Sequence, residues 1–217
     1  MKNFKYLLAT FTVAASLCAC STGEYVVDLK TPITVENINQ GTKAVCVADV
    51  TDNRLFIGNE AKPNLPSGAI LSKDYKARSY ARLKTLGEQS GALLLPQNKT
   101  VASLFKDLLE QALRESGYQV VSEVAAENSN DVAIMAVDIK KFWTYAGLDK
   151  LNADIVNEVE IDVYVQNNGT QKKLTLKNKQ TKKVLTDTKG QYKTTTEASI
   201  ANIYHLALEK LPLILGK

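Results

Sequence analysis

The clearest pattern in the chain is a stripe of apolar residues, Val101, Leu104, Phe105, Leu108, Leu109, Ala112 and Leu113, that recurs every three or four positions. That spacing puts them on one side of an α-helix, with Thr100 as its N-cap and Gly117 just past its end. A second stripe, Ile200, Ile203, Tyr204, Ala207, Leu208 and Leu211, predicts another amphipathic helix running to about Pro212, opened by a capping box of Thr194 and Glu197. Between the two the period changes to 2. Leu151, Ala153, Ile155, Val159, Ile161, Val163 and Val165 share one face of a strand, and Asn152, Asp154, Glu158, Glu160 and Asp162 share the other.

Asn168-Gly169 follows at once and predicts a type I′ hairpin, because both central positions of that turn need positive φ. With those two residues as the loop, Val163 pairs with Leu174, Ile161 with Leu176, Glu160 with Lys177 and Glu158 with Lys179. Apolar residues meet on one face and opposite charges on the other, each pair contributing about 0.2–1 kcal/mol. The acidic stripe therefore has a structural reading beside any cation-binding one. Carboxylates at every second position of a flat strand fan outward and do not converge.

The remaining elements follow from shorter runs. Ala44-Val45-Cys46-Val47-Ala48 starts a buried strand that ends in a turn at Thr51-Asp52-Asn53, and Tyr118-Gln119-Val120-Val121 is a second strand. Residues 132–145 begin apolar on both faces, which predicts a central strand covered on both sides. A last strand takes in Lys183-Val184-Leu185-Thr186 and Gln191-Tyr192. The stretch from Leu55 to Asn98 is too long for a simple connection; a helical pattern around Tyr75–Leu86 and a short strand, Ala92–Leu95, are its candidate elements. The whole reads as an α/β (α+β) domain, a mixed, mainly antiparallel sheet with two amphipathic helices packed on one face.

The N-terminus changes this picture from a domain to an exported domain. Lys2 and Lys5 precede an apolar stretch from Tyr6 to Leu17, and Leu17-Cys18-Ala19-Cys20 follows. A membrane span needs about 20 mostly apolar residues, and this stretch stops short at Ser21-Thr22-Gly23-Glu24, so it predicts a cleaved export signal. An ordinary signal peptidase accepts small residues at such a site. Leu-x-Ala-Cys, however, resembles the lipobox of bacterial lipoproteins, which implies residues 1–19 as signal peptide and a diacyl thioether plus N-acylation on Cys20. Several acyl chains anchor firmly where one does not. Ser21 after the cysteine resembles the pattern sorted to the outer membrane. Residues 20–43 then form the lipidated cysteine and a tether with one edge strand at Tyr25–Leu29, and residues 44–217 form a single periplasmic domain with an insert at about 59–97.

Removing 19 of the 217 residues leaves 198, enough for one sizeable core, with 25 basic and 23 acidic residues. A formal charge of +2 gives no nucleic-acid footprint. Once Cys18 is cleaved and Cys20 acylated, Cys46 has no partner within the chain and reads as a buried, inert thiol. His205 is the sole histidine, which excludes a His-based triad or a multi-histidine metal site, and it reads as a partly exposed residue beside the stripe of its helix. No nucleophile elbow, phosphate loop, paired-cysteine motif or zinc-protease signature is present. Asp49, Asp52 and Arg54 form the other polar cluster and read as a structural pair or turn cap. Lys172, Lys173, Lys177, Lys179, Lys182 and Lys183 make the hairpin basic, a solvated face that could meet anionic polymer or headgroups.

Val45-Cys46-Val47-Ala48-Asp49-Val50-Thr51-Asp52-Asn53-Arg54 with Ile57-Gly58, and Ala112-Leu113-Arg114-Glu115-Ser116-Gly117-Tyr118 closing the first helix, resemble the signature of YajG-type lipoproteins. The element order is also similar to the N-terminal domain of TolB, to auxiliary lipoproteins of lipid transporters and to lipoproteins that activate cell-wall synthases. The resemblance implies an outer-membrane, periplasm-facing lipoprotein that binds partners and catalyses nothing, with no catalytic, cofactor or metal residue. The leading expectation is a non-enzymatic scaffold or adaptor for another envelope protein. The alternatives are a lipid- or glycan-binding auxiliary of a transporter or cell-wall synthesis complex and, behind it, an enzyme using carboxylates alone.

Overall fold

The structure, a computed structural model, describes residues 23–32, 41–56, 72–85, 88–129, 131–148, 153–185 and 189–216. The lipobox, Ile57-Gly58 and the first part of the insert lie outside these residues. In chain order the elements are β1 (Gly23–Val26), β2 (Ala44–Asp52), α1 (Lys73–Arg78), β3 (Ser79–Thr85), β4 (Glu88–Leu94), α2 (Val101–Glu115), β5 (Gln119–Val120), α3 (Glu123–Glu127), β6 (Val132–Leu148), β7 (Ala153–Asn167), β8 (Thr170–Val184) and α4 (Lys189–Leu215). The strands form one mixed sheet. β6–β7, β7–β8 and β3–β4 are antiparallel, whereas β1–β4, β2–β5, β2–β6 and β3–β6 are parallel. The longest ladders are antiparallel, but parallel pairing is more extensive than the expected "mainly antiparallel" sheet.

β6 is the axis. One of its edges carries β7 along its length; the other is shared end to end, β2 pairing from Val132 to Ile139 and β3 joining at Thr144. The expectation of two covered faces is corrected here. Ala133, Met135, Val137 and Ile139 are buried beneath the helices, while Ile134, Ala136 and Asp138 on the other face are only half-buried. β6 reads as apolar on both faces because it is central; among the described residues no second layer covers it.

α2 forms as its stripe predicts. Thr100 Oγ1 accepts from the Ser103 N–H at 3.0 Å and Ser103 Oγ accepts from the Thr100 N–H at 2.9 Å. Its C-terminus closes through Gly117 at φ +84, with the Gly117 N–H donating to Arg114 O and the Tyr118 N–H to Leu113 O. The hairpin register is also as predicted: Val163 faces Leu174, Ile161 faces Leu176, Glu160 faces Lys177 and Glu158 faces Lys179. Asn168 and Gly169 hold φ +48 and +74.

Three expectations are corrected. The helix expected around Tyr75–Leu86 ends at Arg78, and the chain continues as β3 into a hairpin with β4. Gln191-Tyr192 is helical, and α4 begins at Lys189, so Thr194 lies inside the helix and is no cap. Thr195 and Thr196 donate their hydroxyls to the carbonyls of Gln191 and Tyr192, four residues back, which lets these β-branched residues sit inside a helix. The segment 23–32, expected to be spacer apart from an edge strand, is docked on the domain: β1 pairs with β4, Leu29 is 3% exposed and Lys99 pairs with Asp28 at 2.9 Å.

Candidate functional site

Each polar group singled out in the sequence has a definite place. Arg54 is 4% exposed and donates all five of its guanidinium N–H groups: Nε and Nη2 to the Asp52 carboxylate at 2.7 and 2.8 Å, Nη1 to Ser79 O and Phe142 O, and Nη2 also to Lys76 O. The guanidinium fills the gap on β6 where β2 has ended and β3 begins. It also lies over the Trp143 ring, 4.5 Å from its centroid. Asp52 and Arg54 therefore form the structural pair the sequence suggested. Asp49 is not brought to them and accepts from the Thr51 hydroxyl instead.

The acidic stripe of β7 is interleaved with lysines across the uncovered face. Lys177 and Lys141 both pair with Glu160 at 2.9 Å, Lys173 with Asp162 at 2.9 Å and Lys179 with Glu158 at 3.3 Å. Hydrogen bonds from Lys177 and Lys141 hold the Glu160 carboxyl below its usual range. Burial works to raise Asp162, but the Thr175 hydroxyl and Lys173 outweigh it and lower it. Glu158 and Glu160 do share a shallow surface groove of about 220 Å³, yet Lys141, Lys177 and Lys179 line it with them. Glu160 and Asp162 are stabilised as anions, the reverse of what a general acid needs.

Cys46 is buried at the base of an open groove between β2, α2 and α3. Burial, then the negative charge of Glu123, pushes its thiol up, which suppresses the reactive thiolate. His205 is exposed on α4. Beneath the sheet, Asn157 donates to Thr144 at 2.7 Å and the Thr144 and Thr196 hydroxyls lie 2.6 Å apart. Asn157 interrupts the apolar face of β7 to make this bridge to α4.

The concavity that sequence reasoning did not assemble lies at the opposite end of the sheet from the β6–β7 connection. It is a groove of about 410 Å³ where the last turn of α4 leaves the sheet. Val45, Ala133, Val165 and Leu215 contribute its apolar lining, and Lys43 and Lys172 bring cationic side chains to it, with Asp131 as its acidic member. These residues come from β2, β6, the β7–β8 hairpin and α4, so no single motif announces them. The one legible signal is the hairpin register, which fixes where Lys172 stands.

No family model matches the chain, and no curated protein matches its sequence. Among solved structures, a protein of the DUF330 family from Xanthomonas campestris superposes with a TM-score of 0.50 at 10% identity, covering 89% of this chain and 96% of that one. A PelC dodecamer from Paraburkholderia phytofirmans gives 0.34 at 8% identity over 82% of this chain and 96% of that one. A lipoprotein from Neisseria meningitidis gives 0.32 at 10% identity over 75% and 98%. What the first shows is that this chain has the fold of that DUF330 protein.

Proposed function

We propose that the chain is an envelope lipoprotein, held by acyl chains on Cys20 at the periplasmic side of the outer membrane, whose domain is a non-enzymatic adaptor for another protein. The observation that carries the adaptor reading is the groove at the end of α4. It combines an apolar lining with two lysines, and it opens to solvent rather than closing around a ligand. That chemistry suits a segment of a partner protein bearing apolar side chains and an acidic edge. A catalytic reading finds less support, because Asp52, Glu158, Glu160 and Asp162 are each engaged by a cation. No helix of the described residues is long and apolar enough to cross a membrane; the anchor in this reading is Cys20.

The test is photo-crosslinking in intact cells from a reactive residue placed at Thr170, in the wild-type background and in Lys43→Glu/Lys172→Glu. The expected result is one envelope protein captured by the first and lost by the second. Capture of lipid or glycan alone would instead support the auxiliary-lipoprotein alternative. In parallel, Cys20→Ala should abolish both palmitate labelling and membrane fractionation; label that persists rules out the lipobox.

A further inference from the structure

We propose that the end of the domain formed by the start of β1, the end of β8 and the start of α4 rests on the bilayer, with anionic phospholipid headgroups as its partner. The inference depends on lipidation of Cys20 and adds to it an orientation. β1 begins at Gly23, hydrogen-bonded beside Gly91, so only Ser21 and Thr22 separate the acylated residue from the folded sheet. Three Cα–Cα steps span at most about 11 Å however they are arranged. The domain cannot stand away from its anchor.

The register says which end that is. Gly23 is level with Gly91 and Leu83, Ala81 is level with Thr144, and two residues on Ala146 is level with Ile155 and Lys182. β1 runs antiparallel to β6, so its N-terminus points off the end where β6 and β8 finish. Independently, Lys189 in the first turn of α4 lies over the Tyr25 ring, 3.1 Å from its centroid, which places that turn beside β1.

β1 has little room to move. A Cβ on Gly91 would meet Gly23 O at 2.4 Å, so the two strands approach as closely as glycine permits. Downstream, the Lys30 N–H donates to Glu197 Oε1 at 2.8 Å and Gln111 Nε2 donates to Pro32 O at 3.0 Å.

The surface at this end suits headgroups. Lys182, Lys183 and Lys189 are exposed, Leu185 is 91% exposed, and Asp154, the acidic residue in register with Lys183, is half-buried. A large apolar side chain held in solvent among lysines matches an interface that is anionic at its surface and apolar just beneath.

The experiment uses the full-length lipidated protein in vesicles of phosphatidylethanolamine and phosphatidylglycerol that contain a headgroup-nitroxide lipid. A fluorophore is attached at Leu185→Cys or, at the far end of the same strand, at Gln171→Cys. The label at 185 should be quenched several-fold more than the label at 171, and Lys182→Glu/Lys183→Glu should shrink the difference. Equal quenching, or stronger quenching at 171, overturns the orientation, and a difference unmoved by charge reversal overturns the headgroup contact. Mass analysis separates these failures from that of the anchor: a chain without acyl groups on Cys20 sinks both, whereas an acylated chain with equal quenching sinks the orientation alone.

Discussion

Arg54 does work that no other side chain could take over. Its five donors meet a carboxylate and three backbone carbonyls from α1, β3 and β6, in the gap where one edge of β6 changes neighbours. Lysine has three donors on one atom and cannot reach in this fork geometry. Arg54→Lys should therefore cost nearly as much as Arg54→Ala, about 3 kcal/mol, since either leaves buried carbonyls and the Asp52 charge poorly satisfied. Urea unfolding of the chain without residues 1–20 measures this, and a lysine variant close to wild type would contradict it. The pairing of Asp52 with Arg54 was legible because the two are neighbours at a strand end. The carbonyls of Lys76, Ser79 and Phe142 were not, because nothing local says they arrive there.

Among the elements, the β7–β8 hairpin was the most legible, since an Asn-Gly turn and alternation on both faces fix one register without outside help. β3 and the start of α4 were opaque for the opposite reason. Tyr80, Ala81, Arg82 and Leu83 are all buried, so β3 shows no alternation of apolar with polar residues, and the early turns of α4, which begins at Lys189, carry Thr194, Thr195 and Thr196, poor helix formers whose hydroxyls return to the helix's own carbonyls. The hairpin also carries the pH dependence. Glu160 and Asp162 have folded-state pKa values below the ordinary carboxylate range, so their contribution is fully present above about pH 4.3 and is lost as pH falls through the depressed values. Glu160→Gln should lower stability at pH 7 and flatten its decline between pH 5 and pH 3, both roughly bracketing that range, as read from urea midpoints. A decline as steep as that of the wild type would show that other groups carry the acid sensitivity.

For the molecule as a whole, the α/β class and the one-sided placement of the helices could be read from periodicity, whereas the strand order could not. Gly23 pairs with Gly91 and Ala44 with Val132, and no local pattern specifies partners so far along the chain. β1 depends on glycine at position 91. Gly91→Val should release residues 23–32 from the sheet at a cost of about 2 kcal/mol, with faster amide exchange at Val27, whose N–H donates to Leu94 O, and little change in α2. Unchanged exchange at Val27 would mean that β1 is held by something other than this close approach. The other flank of the sheet ends in β8, which among the described residues pairs with β7 alone, along all its length from Thr170 to Val184. Its outer backbone edge is an invitation to a second strand, and crowding in two dimensions, as on a membrane leaflet, makes such encounters frequent. Lysines are the chain's answer. Among the described residues Lys172, Lys182 and Lys183 have no carboxylate partner, so two copies meeting edge to edge would bring like charges together near both ends of the contact and separate again.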